Sequence, residues 1–125
     1  MKKIGVLGLI LTIMTMLKGC ISTTYTLQFD NINKVNIVNR VTGKEVSLTK
    51  EQITTVKKDL GKIIFKEEND DLGDKYLYKV SMSSGDGEKA VEIFIYDSTH
   101  MKKENKSYTT TENVFDIVFY KALFQ

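Results

Sequence analysis

The chain has 125 residues, 42% of them hydrophobic and 27% charged, with 18 Lys and Arg against 16 Asp and Glu. This length supports one small domain with a single core and excludes two. A single cysteine excludes an intramolecular disulfide, so packing alone has to hold the fold. The near-balance of charge gives no reason to expect a nucleic-acid partner.

The beginning of the chain carries an export pattern. Lys2 and Lys3 form a cationic start, an apolar run occupies positions 4–17, and Cys20 follows a glycine. A membrane-spanning helix needs about 20 apolar residues, so this run is too short to span a bilayer and is typical of a signal sequence. The pattern predicts cleavage before Cys20 and attachment of diacylglycerol to its thiol. An ordinary transmembrane anchor or an uncleaved signal is the alternative, and it exports the same domain.

This interpretation divides the chain into a signal peptide (1–19), the lipidated Cys20 with a short tether (20–24) and one domain (25–125). The mature protein is then held by its lipid on the extracytoplasmic face of the cell membrane. Three lysines lie before Cys20, which leaves 15 basic residues against 16 acidic ones in the mature chain.

In the first half of the domain, apolar residues alternate with polar ones. This period of two predicts a strand at 25–29 and a hairpin over 35–48 that turns at a Thr-Gly pair. Thr49 and Gln52 then have the spacing of a capping box, and apolar residues recur at helical intervals over 50–60. A short amphipathic helix is expected there, with one face on a sheet.

Downstream, the pattern returns to a period of two. It predicts three strands at 63–65, 76–82 and 91–96, a turn at 83–87, and a weaker hairpin around Met101 and Tyr108. Thr109 and Glu112 repeat the capping-box spacing, so a second helix is predicted from Val114 to Phe124. This helix is apolar on nearly every side, which indicates either complete burial or contact with a partner.

The order of these elements predicts an α+β fold. We expect a two-layer sandwich in which an antiparallel sheet of about five strands carries two helices packed on one face. With its Leu17-Lys18-Gly19-Cys20 lipobox and short tether, the chain resembles small uncharacterised lipoproteins of Gram-positive bacteria. The resemblance is specific over residues 1–20 and implies a lipid anchor and one compact α+β domain, without an assigned activity.

Three tyrosines suggest a binding surface. Tyr76 and Tyr78 share one face of a predicted strand, and Tyr96 lies on a neighbouring strand. Together they would form an exposed aromatic strip for a peptide, glycan or protein partner. The alternative is that they face the helices as part of the core.

Other candidates for chemistry have simpler explanations. His100 is the only histidine, and no cysteine or serine is spaced to pair with it, so we expect an ordinary surface side chain. The acidic stretch from Glu67 to Asp74 lacks the spacing of an EF-hand and is expected to be a solvated hairpin loop. No metal site, cofactor or catalytic residue is predicted.

Two classes of function follow from these observations. The first is a lipid-anchored binding or interaction module with a protein or peptide partner, including an inhibitor-like or immunity protein at the cell surface. The second is an envelope-acting hydrolase that uses the acidic loop. Hydrolysis of glycans needs two carboxylates held across a cleft, and one run of like charges does not provide them. The sequence therefore favours a binding protein that is not an enzyme.

The lipid anchor can be tested directly. We expect Cys20→Ala to abolish membrane retention, because an alanine cannot accept the diacylglycerol. Fractionation of cells with and without detergent measures this retention. A variant that is processed and retained like the wild type would show that the lipobox interpretation is wrong.

Overall fold

The computed structural model describes residues 23–29, 31–84 and 91–125. In this part of the chain, eight strands form one antiparallel sheet in the order β1-β4-β8-β7-β6-β5-β2-β3, with two helices. The strands are β1 (Thr24–Tyr25), β2 (Lys34–Asn39), β3 (Glu45–Ser47), β4 (Ile64–Glu68), β5 (Tyr78–Ser83), β6 (Val91–Ile95), β7 (His100–Lys103) and β8 (Lys106–Glu112), and the helices are α1 (Lys50–Gly61) and α2 (Ile117–Ala122).

One face of the sheet is apolar and buried. Ile37, Val80 and Ile93 pair across three adjacent strands, and each is completely buried. Directly paired residues point to the same side of a sheet, so these side chains form a continuous row. Met101 and Tyr108 extend the same face onto β7 and β8. We call this side the helix face and the opposite side the second face.

Helix α1 begins where the sequence predicts. The Thr49 hydroxyl accepts a hydrogen bond from the Gln52 backbone, and the Gln52 side chain accepts one from the Thr49 backbone, which completes the capping box. Ile53, Val56 and Leu60 are buried in the core cluster that the strands also form. The capping box and the apolar stripe together position this helix against the sheet.

Aromatic side chains at the C-terminus complete the core. The Phe115 ring lies 5.6 Å from the ring of Phe65 on β4, and Tyr120 on α2 stacks at 5.6 Å on Tyr78 of β5. Burial of its ring raises the pKa of Tyr120 strongly. Val118 on the outer side of α2 is 77% exposed. The second helix therefore packs on the core along one side and leaves the other side exposed. The sequence pattern instead predicts complete burial or contact with a partner.

The predicted fold class is wrong. The described residues form a single eight-stranded antiparallel sheet with two small helices, and the fold is mainly β, whereas we expected a five-strand α+β sandwich. Alternating patterns identify strands but do not indicate how many of them join one sheet. Very short strands such as β1 and β3, with two and three residues, also give little pattern to count.

The start of the second helix was also predicted wrongly. Thr109 and Glu112 belong to β8, where they pair with Lys66 and Ile64 of β4. The helix begins instead after Asp116, whose carboxylate accepts a hydrogen bond from the Phe119 backbone. Strand β8 forms backbone hydrogen bonds with both β4 and β7, whereas a capping box at Thr109 would supply only two hydrogen bonds. The tertiary contacts therefore override the local helix signal.

Both predicted hairpins are confirmed where the structure describes them. The chain between β2 and β3 turns at Gly43, whose φ of 74° lies in the region that glycine adopts without strain. Between β7 and β8, Glu104 and Asn105 both have positive φ, as a two-residue hairpin turn requires. The predicted turn at 83–87 lies mostly outside the described residues.

The packing of Phe115 gives a test of this core. Phe115 is 2% exposed, and we expect Phe115→Ala to lower the free energy of unfolding by about 3–5 kcal/mol, the range for emptying an aromatic core site. Val118→Ala, on the exposed side of α2, should change it by about 0.5 kcal/mol or less. Chemical denaturation measures both. Equal stability of the two variants would contradict the described packing.

Candidate functional site

The three predicted tyrosines do not form one strip. Tyr76 and Tyr96 lie together, with ring centroids 6.4 Å apart, but Tyr78 points into the core. Tyr78 is 7% exposed and stacks between Tyr120 and Phe124 at the helix face. Tyr78 is therefore a core residue, and any aromatic surface has to be built without it.

A local irregularity in the sheet explains this separation. Tyr78 is paired with Ile95, yet the backbone N–H of Leu77 also donates to the Ile95 carbonyl at 2.8 Å. Two residues of one strand thus oppose a single residue of its neighbour, which is the arrangement of a β-bulge. Because the extra residue shifts the alternation by one, Tyr76 and Tyr78 point to opposite faces of the sheet.

The second face carries a compact aromatic surface. The ring of Tyr76 meets the ring of Phe94 edge to face at 4.9 Å and lies beside Tyr96. Arg40, the only arginine of the chain, donates through Nε to the Tyr76 carbonyl, and its guanidinium lies 6.0 Å from the centre of the Tyr76 ring. We call these four side chains the aromatic surface. Phe94 was missed as a site residue, although its strand is apolar on both faces.

The sequence predicts that the acidic stretch is a hairpin loop, and this prediction is wrong. Its flanking strands, β4 and β5, are separated in the sheet by β8, β7 and β6. The connecting segment, residues 69–77, crosses the second face, where the Gly73 carbonyl accepts a hydrogen bond from the Tyr96 hydroxyl. We call this segment the strap. Burial of the phenol, followed by the nearby charges of Asp74 and Asp71, raises the pKa of Tyr96.

His100 also differs from expectation, because it contacts carboxylates from two separate parts of the chain. Its Nδ1 lies 2.9 Å from Asp97 Oδ1 and 2.9 Å from the Thr99 hydroxyl. Its Nε2 faces Glu68 Oε1 at 3.6 Å, and that oxygen is buried without a hydrogen-bond partner. The imidazole therefore links the end of β4 to the turn before β7.

The carboxylates and the imidazole of this cluster can exchange protons with one another. The group that faces Nε2 is Glu68, so the imidazole has no serine or cysteine nucleophile there to activate. Burial raises the pKa of the Asp97 carboxyl, but hydrogen bonds from Thr99 and His100 and the charge of His100 outweigh it, so the pKa is lowered. Within the described ranges, no group of three or more His, Cys, Asp or Glu side chains is arranged to hold a metal ion. The contacts of His100 therefore hold β4 and the turn before β7 together.

A groove lies at the other end of the sheet, where the described chain begins. Its volume is about 540 Å³. The lining residues come from β1, β4, β7, β8, the turn between β7 and β8, and the chain just before β1. They are Thr23, Thr24, Tyr25, Lys66, Glu67, Lys103, Glu104, Lys106 and Tyr108. We call this the tether groove. It combines two aromatic phenols with three lysines and two carboxylates.

The centre of the tether groove is a pair of tyrosines with a lysine. Tyr25 and Tyr108 stack with ring centroids 5.0 Å apart, and Lys103 Nζ lies 5.5 Å from the centre of the Tyr25 ring. Burial lowers the pKa of Lys103, but a hydrogen bond with Tyr25 and electrostatic interactions with Tyr25 and Glu104 outweigh burial, so the pKa is raised. Tyr25 is far in sequence from Lys103 and Tyr108, and no local signal marks the three residues as a site.

Cys20 lies outside the described residues. None of the helices within the described ranges is long and apolar enough to cross a membrane. Comparison of the chain with protein-family models, with curated proteins and with solved structures finds no match. The chemistry of the surfaces described above is therefore the basis for a functional proposal.

The lowered pKa of Asp97 predicts a dependence of stability on pH. A carboxyl with a lowered pKa in the folded state stabilises the fold above its ordinary value of 3.8, and this stabilisation is lost as the pH falls through the lower folded value. We expect Asp97→Asn to reduce the loss of stability on acidification below pH 3.8. Denaturant midpoints on either side of that pH measure the effect.

Asp70→Asn, in the exposed part of the strap, serves as the matched control and should retain the acid sensitivity of the wild type. If both variants follow the wild-type pH profile, the contact between Asp97 and His100 does not contribute to stability.

Proposed function

We propose that this protein is a membrane-anchored extracytoplasmic lipoprotein that acts as a binding module for a protein or peptide partner and is not an enzyme. The observation that carries this proposal is the aromatic surface, in which Arg40, Tyr76, Phe94 and Tyr96 lie together on the sheet face opposite the core. Tyrosine and arginine dominate the energetically important contacts of protein interfaces.

The surroundings of the aromatic surface support recognition of a polar chain. Phe94 pairs with Lys79 on one side and with Lys102 on the other, so a lysine flanks it on each neighbouring strand. Lys79 lies 3.8 Å from Glu92. A partner segment with an apolar side chain and neighbouring carboxylates would complement this pattern, since charges around an aromatic anchor give specificity and orientation.

The arrangement of the carboxylates argues against the hydrolase alternative. Asp97 and Glu68 contact the same imidazole from its two sides, at 2.9 and 3.6 Å. In a glycosidase the scissile bond of the glycan lies between the two carboxyl groups. A pair bridged by a histidine leaves no place for the sugar between the carboxylates.

Site-specific photo-crosslinking in intact cells tests the binding function. A photoreactive phenylalanine analogue is placed at Phe94, and the matched control carries it at Val118, which is 77% exposed on α2. We expect an adduct of increased mass from position 94 that is absent from position 118. Arg40→Gln should reduce this adduct about tenfold or more, the loss typical of an interface hot spot.

Thermal melts of each variant separate loss of a partner from loss of the fold. Equal adducts from positions 94 and 118, or an adduct that Arg40→Gln leaves unchanged, would refute the proposed surface. Hydrolysis of cell-envelope polymers that disappears in Glu68→Gln would instead favour the enzyme.

A further inference from the structure

The tether groove lies next to the proposed attachment point. Thr23 and Thr24 line it, and Cys20 precedes Thr23 by three residues. An extended chain advances about 3.6 Å per residue at most, so the Cα atoms of Cys20 and Thr23 are within about 11 Å of one another. A lipid on Cys20 therefore places the tether groove at the level of the headgroups.

The charged residues of the tether groove favour an anion. Lys66, Lys103 and Lys106 contribute three ammonium groups, against the carboxylates of Glu67 and Glu104. Lys103 lies 3.6 Å from Glu104, and both Lys66 and Lys106 are exposed without an ion pair within 4 Å among the described residues. The lining of the groove thus includes two lysines that have no carboxylate partner among the described residues.

The two tyrosines suit the same location. Tyr25 and Tyr108 both line the groove, and their rings lie beside the ring of Phe65. Side chains of this kind concentrate at the boundary between membrane and water, where one end is apolar and the other is wet.

We infer that the tether groove binds the phosphate headgroup of an anionic phospholipid in the membrane that carries the anchor. This inference rests on the proposed lipid anchor and adds to it a second, electrostatic contact. Basic residues close to a lipid anchor add an electrostatic attraction to anionic headgroups.

Headgroup binding would also orient the domain. Strand β7 runs from His100 to Lys103, and Tyr96 donates its backbone N–H to the carbonyl of His100, at the end of the strand away from Lys103. Tyr96 thus lies at the end of β7 away from Lys103. The aromatic surface as a whole is on the second face, whereas Lys103 alternates with Lys102 and shares the helix face with Met101. With the groove on the membrane, the second face would remain open to a partner.

Lysine labelling of the full-length lipidated protein tests this inference. The protein is reconstituted into vesicles of phosphatidylcholine alone or of phosphatidylcholine with phosphatidylglycerol, and a water-soluble acetylating reagent is applied. Mass spectrometry then gives the reaction of each lysine. We expect Lys66 and Lys106 to react about fivefold more slowly in the anionic vesicles, while Lys44 and Lys121, far from the groove, serve as internal controls.

Two variants sharpen the test. Lys103→Gln should weaken the protection of Lys106 in anionic vesicles, whereas Lys44→Gln should not. High salt, on the order of 0.5 M, should restore the reaction of Lys66 and Lys106, because exposed charges are then screened. Equal protection of these lysines in both kinds of vesicle would show that they are merely close to the membrane surface, and it would overturn headgroup binding.

The outcomes also separate this inference from the proposed anchor. Protein that is retained on vesicles but labelled uniformly overturns the groove inference and leaves the anchor intact. Protein that is not retained, with an unmodified Cys20, refutes the anchor and the inference together. Protection that requires an added cell extract would assign the groove to an acidic protein and overturn headgroup binding.

Discussion

One-sided burial of the sheet is the constraint on which the other features depend. Ile37, Val80 and Ile93 are completely buried in one row across three strands, and α1 and the C-terminal aromatic residues cover the same core. A chain with one cysteine has no intramolecular disulfide to supplement this packing. Because side chains alternate along each strand, burial of one set fixes which side chains point to the second face. The aromatic surface and the His100 cluster are the consequence of that alternation.

Local signals in the sequence predicted those elements whose contacts are local. The hairpin around Gly43 and the helix capped by Thr49 are confirmed, since a turn conformation and a capping box each involve residues a few positions apart. The connection of β4 to β5 could not be predicted in the same way. Strand β8, which lies beside β4, comes from about 40 residues further along the chain, and no pattern near residue 68 indicates that the chain crosses three strands before it pairs again.

The candidate sites depend even more on such distant relations. Tyr76 and Tyr78 have the spacing of residues on one face, and a single bulge at Leu77 separates them. Glu68 meets His100 only because β8 lies between β4 and β7. Composition and spacing could suggest aromatic and acidic residues of interest. The register of the sheet, which decides which of them meet, is a property of the whole fold.

The lengths of the two outermost strands have a consequence for how copies of this protein coexist. The proposed lipid anchor would confine molecules to two dimensions and raise their local concentration, which favours pairing between exposed sheet edges. Here β1 offers two residues and β3 three, and Lys44 and Glu45 place charges at the latter edge. Such short and charged edges give a neighbouring copy little backbone to pair with. Short edges of this kind oppose edge-to-edge aggregation of the described sheet, and on a membrane they would help to keep neighbouring domains separate.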